Sequence, residues 1–132
     1  MKVDHYGFLT ENIEKSIAAF SALGYDEKSR TLDESRGIDI AFIESKNGET
    51  IELIMPVNDQ SVVSKLMGKL KYNIYHTCYA VDDMEQSIAD LRKKGFLVID
   101  AAKPAVALNG MRVAFLYSRY AGMIELLEQT QI

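Results

Sequence analysis

Two stretches decide how this chain is read: residues 5–25, HYGFLTENIEKSIAAFSALGY, and residues 76–96, HTCYAVDDMEQSIADLRKKGF. At a constant offset of 71 residues His5 meets His76, Glu14 meets Glu85, and Ser16-Ile17-Ala18 meets Ser87-Ile88-Ala89. Gly24 then meets Gly95, and Tyr25 meets Phe96. Further on the offset becomes 73, as a small difference in loop length produces. There Ala41-Phe42 meets Ala114-Phe115 and Ile51-Glu52-Leu53 meets Ile124-Glu125-Leu126. Self-similarity at a fixed period marks a repeated structural unit.

Each copy has one coarse plan. Residues 2–9 and 74–81 are rich in β-branched and aromatic types and read as strands. Asn12 and Asp83 have side-chain oxygens suited to capping a helix N-terminus. Ile13, Ile17, Ala18, Phe20 and Leu23 fit a helical period, as do Met84, Ile88 and Leu91. Gly24 and Gly95 stand where a left-handed residue ends a helix. Extended segments follow at about 25–31, 37–44 and 49–55, and again at 96–100, 111–117 and 122–128. The expectation is α+β, a βαβββ module written twice, over 1–55 and 74–128. Residues 56–73 have no counterpart and join the halves. Pro56 ends a strand, Ser61 is placed to cap a short helix, and Val62, Val63, Leu66, Met67 and Leu70 give that helix an apolar stripe.

The whole is read as one domain, 1–132, with 48% hydrophobic and 26% charged residues. A formal charge of −4 argues against a nucleic-acid binder, which needs a basic face for phosphates. No apolar run approaches the ~20 residues that span a bilayer. The amino terminus lacks the apolar region of an export signal. With a single cysteine, Cys78, and no export signal, the cytoplasm is the expected compartment.

Four polar residues stand in costly places. Strands alternate faces, so Glu52 points away from Ile51 and Leu53, and Glu125 from Ile124 and Leu126. A carboxylate among large apolar residues needs a partner, water or a cation. The chain's two histidines, His5 and His76, open matching strands. One reading makes these ordinary structural residues of a duplicated strand. The other makes them two matching pairs, His5 with Glu52 and His76 with Glu125. Imidazole and carboxylate suit borderline divalent ions such as Ni, Co, Zn or Mn. The spacings within pairs, 47 and 49 residues, rule out a local motif and require the sheet to assemble them.

VDHYGFLTENIEKSIAAFSALGY, IAFIESKNGETIELIMP, YHTCYAVDDMEQSIADLRKKGF and NGMRVAFLYSRYAGMIELLE, in this order, resemble the vicinal oxygen chelate superfamily. That superfamily includes glyoxalase I, methylmalonyl-CoA epimerase, extradiol dioxygenases and bleomycin-resistance proteins. The resemblance implies paired βαβββ modules forming an incomplete barrel around one divalent metal, with His5, Glu52, His76 and Glu125 as ligands. It also implies a metal-dependent lyase or isomerase that removes a proton next to a carbonyl, Glu125 acting as base and Glu52 as its partner acid. The substrate is then a small thioester or hemithioacetal. KPAVALNGMRVAFLY and IELIMP look most like the epimerase branch, whose additional acidic residue has only a loose match in DESRG, nearest at Glu34. A drug-binding protein of the bleomycin-resistance type and an extradiol-type dioxygenase are the alternatives; Glu52, as a fourth protein ligand, argues against the latter.

Lys65, Lys69, Lys71 and Arg112 are read either as steering an anionic thioester or as a solvated surface. Asn109-Gly110 has hairpin-turn chemistry, and residues 103–110 are candidates to cover the site. Cys78 shares a strand face with His76 and reads as a small buried residue rather than a ligand. Tyr6, Tyr75 and Tyr79 read as packing residues. Strand edges left open by an incomplete barrel suggest a homodimer.

Overall fold

The computed structural model describes residues 1–61 and 63–129. Among them are eight strands and three α-helices. In chain order these are β1 (Lys2–Leu9), α1 (Ile13–Ser21), β2 (Tyr25–Asp33), β3 (Ile38–Ser45), β4 (Thr50–Pro56), α2 (Ser64–Leu70), β5 (Asn73–Val81), α3 (Met84–Lys93), β6 (Leu97–Pro104), β7 (Arg112–Ser118) and β8 (Gly122–Glu128). The order βαβββ occurs twice, on either side of α2. None of the helices is long and apolar enough to cross a membrane. The chain divides into two compact units, one of residues His5–Tyr75 and one of Met1–Asp4 with the chain from His76 on.

In the His5–Tyr75 unit the strands are ordered β2-β3-β4-β1. β3 runs antiparallel to both neighbours, while β1 and β4 are parallel, Gly7 standing opposite Glu52. Helix α1 covers one face. Its Ile13, Ile17 and Phe20 pack on Ala41, Ile43, Ile51 and Leu53, with Phe8, Tyr25 and Met55 at the rim. Burying each large aliphatic side chain of this kind contributes about 1.5–3 kcal/mol. Asn12 caps α1 as expected, its side chain accepting from the Lys15 N–H.

Two members of the expected apolar stripe are elsewhere. Ser16, not Ala18, is buried, because the inward face follows Ile13, Ser16, Ile17 and Phe20 at three- and four-residue steps. Ala18 lies about 100° round the helix from Ile17 and is exposed. Ser16 is accommodated by donating to the Thr10 hydroxyl at 2.7 Å. Leu23 lies beyond the end of α1, in the turn that Gly24 closes with φ +92°, and is 71% exposed.

The second unit repeats the plan, with strands ordered β5-β8-β7-β6. β5 and β8 are parallel, Cys78 opposite Glu125. Helix α3, capped by Asp83 onto the Gln86 N–H, sets Met84, Ile88 and Leu91 against Val81, Ala114, Leu116, Ile124 and Leu126. Its end is a Schellman motif: Gly95 N–H donates to Arg92 C=O and Phe96 N–H to Leu91 C=O, with Gly95 at φ +94°. Tyr79 packs against this core, whereas Tyr6 is exposed.

The joining segment differs from expectation. Ser61 does not cap α2: its hydroxyl accepts from Val63 N–H one turn earlier, and Val63, at the N-cap, makes no side-chain capping bond. Val63 is buried, and Leu66, Met67 and Leu70 are half-buried; Val62 lies outside the described residues. Asn109-Gly110 is not a two-residue hairpin turn. Both have positive φ (58° and 79°), but they close a seven-residue connection, Ala105–Met111, that contains one 3-10 turn, Val106–Leu108.

Candidate metal centre

Strand alternation and register build the same constellation in each unit. On β1, His5, Gly7 and Leu9 point away from α1 while Tyr6 and Phe8 point to the other face. Gly7 opposite Glu52, and Glu52 opposite Phe42, bring the Glu52 carboxylate and the Phe42 ring to the His5 side. On β5, His76 and Cys78 share a face, and Cys78 and Phe115 both stand opposite Glu125. Cys78 therefore occupies the place of Gly7. It is fully buried, as expected.

Both pairs are closed. His5 Nε2 lies 3.3 Å from Glu52 Oε1, and His76 Nε2 lies 3.1 Å from Glu125 Oε1. None of the four residues is more than 6% exposed. Two ligand atoms that share one cation, each about 2.0–2.2 Å from it at angles between tetrahedral and octahedral, are about 2.8–3.6 Å apart. Both pairs fall inside that window. An imidazole nitrogen beside a carboxylate oxygen is the donor set that Ni, Co, Zn or Mn takes. The geometry within each unit fits half of a divalent-metal site.

In the second unit the face carrying Glu125 is walled by apolar residues. Cys78, Val113 and Leu127 form a cluster with Ala105, against which Leu108 and Met111 pack. Leu127 is two residues beyond Glu125 on β8, and Val113 two before Phe115 on β7, so this cluster begins one row from the carboxylate. The connection expected to cover the site thus folds onto the face that holds Glu125.

Several charged candidates have other work. Arg112 is held by two carboxylates: Nε and Nη2 donate to Glu128 at 3.0 and 2.8 Å, and Nη1 and Nη2 donate to Glu85 at 2.8 and 3.0 Å. The other Glu128 oxygen accepts from Met84 N–H. Hydrogen bonds from Arg112 hold the Glu85 carboxyl below the usual carboxylate range. Arg112 therefore fastens α3 to β7 and β8. Arg112→Gln is expected to lower the melting temperature while leaving the KM of an anionic substrate unchanged, a contrast that steady-state kinetics beside a thermal melt resolves. Lys71 is 3.7 Å from Glu11, a surface ion pair.

Glu34 is exposed, its backbone carbonyl accepting from Gly37 N–H at 3.3 Å. The buried acid of DESRG is its neighbour Asp33, 2% exposed, which faces inward because it stands opposite Ile38 on β3. Asp33 accepts from the Ser35 hydroxyl (2.7 Å), from Arg36 N–H (3.1 Å) and from Arg36 Nη1 (2.9 Å). Burial by itself raises this carboxyl, but the bonds from Ser35 and Arg36 outweigh it and hold it below the usual carboxylate range. A value depressed by folding stabilises the native state above the unfolded value, about 3.9, and that contribution fades as pH falls through the folded value. Asp33→Asn is expected to cost about 1.5–3 kcal/mol at pH 7, the worth of hydrogen bonds to a charged group. Urea unfolding at pH 7 and again near pH 3 should show the gap between variant and parent closing in acid.

Sequence reasoning passed over two residues at these pairs, Phe42 and Phe115. Each ring stands perpendicular to its histidine, Phe42 to His5 at 5.4 Å and 89°, Phe115 to His76 at 5.2 Å and 87°. The signal was present, since both share the offset of 73 with Glu52 and Glu125.

Comparison with known proteins gives a consistent picture. The family profile described as Glyoxalase/Bleomycin resistance protein/Dioxygenase superfamily matches residues 4–115. The ethylmalonyl-CoA/methylmalonyl-CoA epimerase of Cereibacter sphaeroides is 25% identical over 131 residues, which is 97% of each chain. The crystal structure of methylmalonyl-CoA epimerase from Mycobacterium tuberculosis superposes with a TM-score of 0.85 at 22% identity, over 98% of this chain and 89% of that one. A variant of the Streptomyces coelicolor epimerase, in complex with 2-nitronate-propionyl-CoA, does so with a TM-score of 0.83 at 22% identity, over 99% of both chains. The fold of this chain is that of these structures.

Proposed function

The chain belongs to the glyoxalase/bleomycin resistance protein/dioxygenase superfamily, and we propose that within it the protein is an epimerase-type isomerase, moving a proton on the carbon next to a thioester carbonyl. The observation that carries this reading is the duplicate His–Glu pair, buried in both units at 3.3 and 3.1 Å. In this reading His5, Glu52, His76 and Glu125 hold one divalent ion, Ni, Co, Zn or Mn, and residues 1–132 work as one domain. A divalent ion so held supplies Lewis-acid stabilisation of the negative charge that develops on a carbonyl oxygen when the α-proton leaves.

The chain's own groups do the rest. Glu125, as the carboxylate, takes the α-proton, breaking the C–H bond and leaving its electron pair delocalised into the carbonyl. Glu52, carrying a proton at the start of the turnover, gives it to the same carbon from the opposite face; exchange of one proton with solvent at each group then restores the starting state. Two carboxylates from two matching halves suit an inversion, because each face of a planar intermediate needs its own proton carrier. The imidazoles of His5 and His76 hold no exchangeable role in this scheme; they are ligands. Burial of all four side chains strengthens each electrostatic contact by excluding water. Relatives named as methylmalonyl-CoA epimerases favour a malonyl-type CoA thioester over a hemithioacetal. A homodimer is part of the proposal: β6 stands at a sheet end with Leu97 and Ile99 exposed, an edge that a second copy would cover.

The test couples metal content of the untagged protein, by elemental mass spectrometry, with deuterium uptake from heavy water followed by proton NMR. About one divalent ion per chain and loss of the α-proton signal of methylmalonyl-CoA is the expected result. Turnover of a methylglyoxal–thiol adduct alone would reassign the protein as a glyoxalase I-like lyase. A chain that takes up no divalent ion and exchanges neither substrate would be a binding protein of the bleomycin-resistance type.

A further inference from the structure

We propose that Phe42 and Phe115 are positioning residues: their rings fix the planes of the His5 and His76 imidazoles, and so set how tightly the His–Glu pairs hold a divalent cation. The inference rests on the metal reading above and adds to it two residues that carry no ligand atom.

The physical need is specific. The torsion that turns an imidazole about its Cβ–Cγ bond is broad and has no steep rotamer wells. A histidine ligand therefore requires something outside itself to aim its nitrogen. Metal-bound histidines commonly receive this from a hydrogen bond to the second ring nitrogen. Here a perpendicular aromatic wall is present as well, and it is present twice. Phe42 is the cross-strand partner of Glu52, and Phe115 of Glu125, so each ring sits on the face where its carboxylate meets its imidazole. The centroid separations, 5.4 and 5.2 Å, and the interplanar angles, 89° and 87°, agree between two units that differ at most other positions. Edge-to-face contact at this distance is an attractive geometry for aromatic rings. A ring so placed blocks rotation of the imidazole out of the plane that points Nε2 at the carboxylate.

Ordinary packing would use these positions differently. Neighbouring inward positions on the same strands are aliphatic: Ile40 two residues before Phe42, and Val113 two before Phe115. An aliphatic residue packs at such a position but offers no flat wall.

The experiment measures affinity for Co(II) and Zn(II) by chelator competition, together with the visible absorption of the Co(II) form, for the parent and for Phe42→Leu, Phe115→Leu, Phe42→Met, Phe115→Met and Phe115→Tyr. Each protein is first checked by circular dichroism and by its metal-free melt. Loss of a ring is expected to weaken metal binding about 10–100-fold and to shift the Co(II) bands, while Phe115→Tyr, which keeps the ring, stays within about threefold of the parent. The methionine variants, whose unbranched and flexible side chain adapts to an irregular gap, serve where leucine prevents folding. Ring-free variants that fold and bind metal like the parent, with unchanged Co(II) bands and only a lower melting temperature, would overturn the inference and leave the metal reading standing. A parent protein that binds neither ion would overturn both.

Discussion

Glu125→Gln should reduce α-proton exchange in the thioester by about 10²–10⁴-fold, the usual worth of a positioned general base. The substitution is nearly isosteric, so the strand and its packing survive: Glu125 sits between Ile124 and Leu126, whose side chains remain in the core under α3. An amide cannot accept the α-proton, yet its oxygen can still face His76, so the loss falls on kcat rather than on folding when the assay is run at an ion concentration that saturates the variant. The matching change Glu52→Gln separates the two roles. If Glu52 returns the proton from the other face, its variant still exchanges the α-proton of one epimer with solvent while inversion fails. Following deuterium uptake and chirality in the same sample distinguishes these outcomes. Full exchange and inversion by Glu125→Gln would remove Glu125 from the chemistry.

The second large effect is thermodynamic. A cation that binds only the folded chain stabilises it by about 2.7 kcal/mol when present at a hundredfold excess over Kd, which for a chain of this size raises the melting temperature by about 10 °C. His5→Ala and His76→Ala should each remove most of that shift at the same ion concentration. The reason lies in the proposed sharing of one ion by both pairs: removing either imidazole takes away one of four ligands and weakens the hold on the single ion. If each His–Glu pair were an independent site, a single variant would retain a metal-dependent shift from the other pair. Melts of both variants with and without added Zn(II), read by circular dichroism, decide between the two. Either histidine variant retaining a parent-like shift would exclude the four-residue site.

Much of the candidate site is legible in the sequence because the chain contains its own control. Duplication places His5 and His76, and Glu52 and Glu125, at matching points, and strand alternation alone turns both carboxylates away from the apolar face. The N-caps Asn12 and Asp83 are equally readable, since capping depends on a few consecutive residues. Features set by phase or by a distant partner are not. Ala18 and Leu23 fit a helical period, but the period does not say where α1 stops or which residue lies at the centre of its buried face. In DESRG the register of β2 on β3 buries Asp33 and leaves Glu34 in solvent. Arg112 looks free to meet a ligand in the sequence because its partners, Glu85 and Glu128, are 27 and 16 residues away.

By itself the sequence determined the α+β repeat, the element order and the identity of the two His–Glu pairs, because these follow from local periodicity and from comparison of one half with the other. Only the tertiary structure decided the spacing within each pair, the aromatic ring set against each imidazole, the wall that Leu108 and Met111 build beside Glu125, and the engagement of Arg112. Those depend on which residues stand opposite one another across strands, and a shift of one residue in register would turn every one of these side chains to the other face of the sheet.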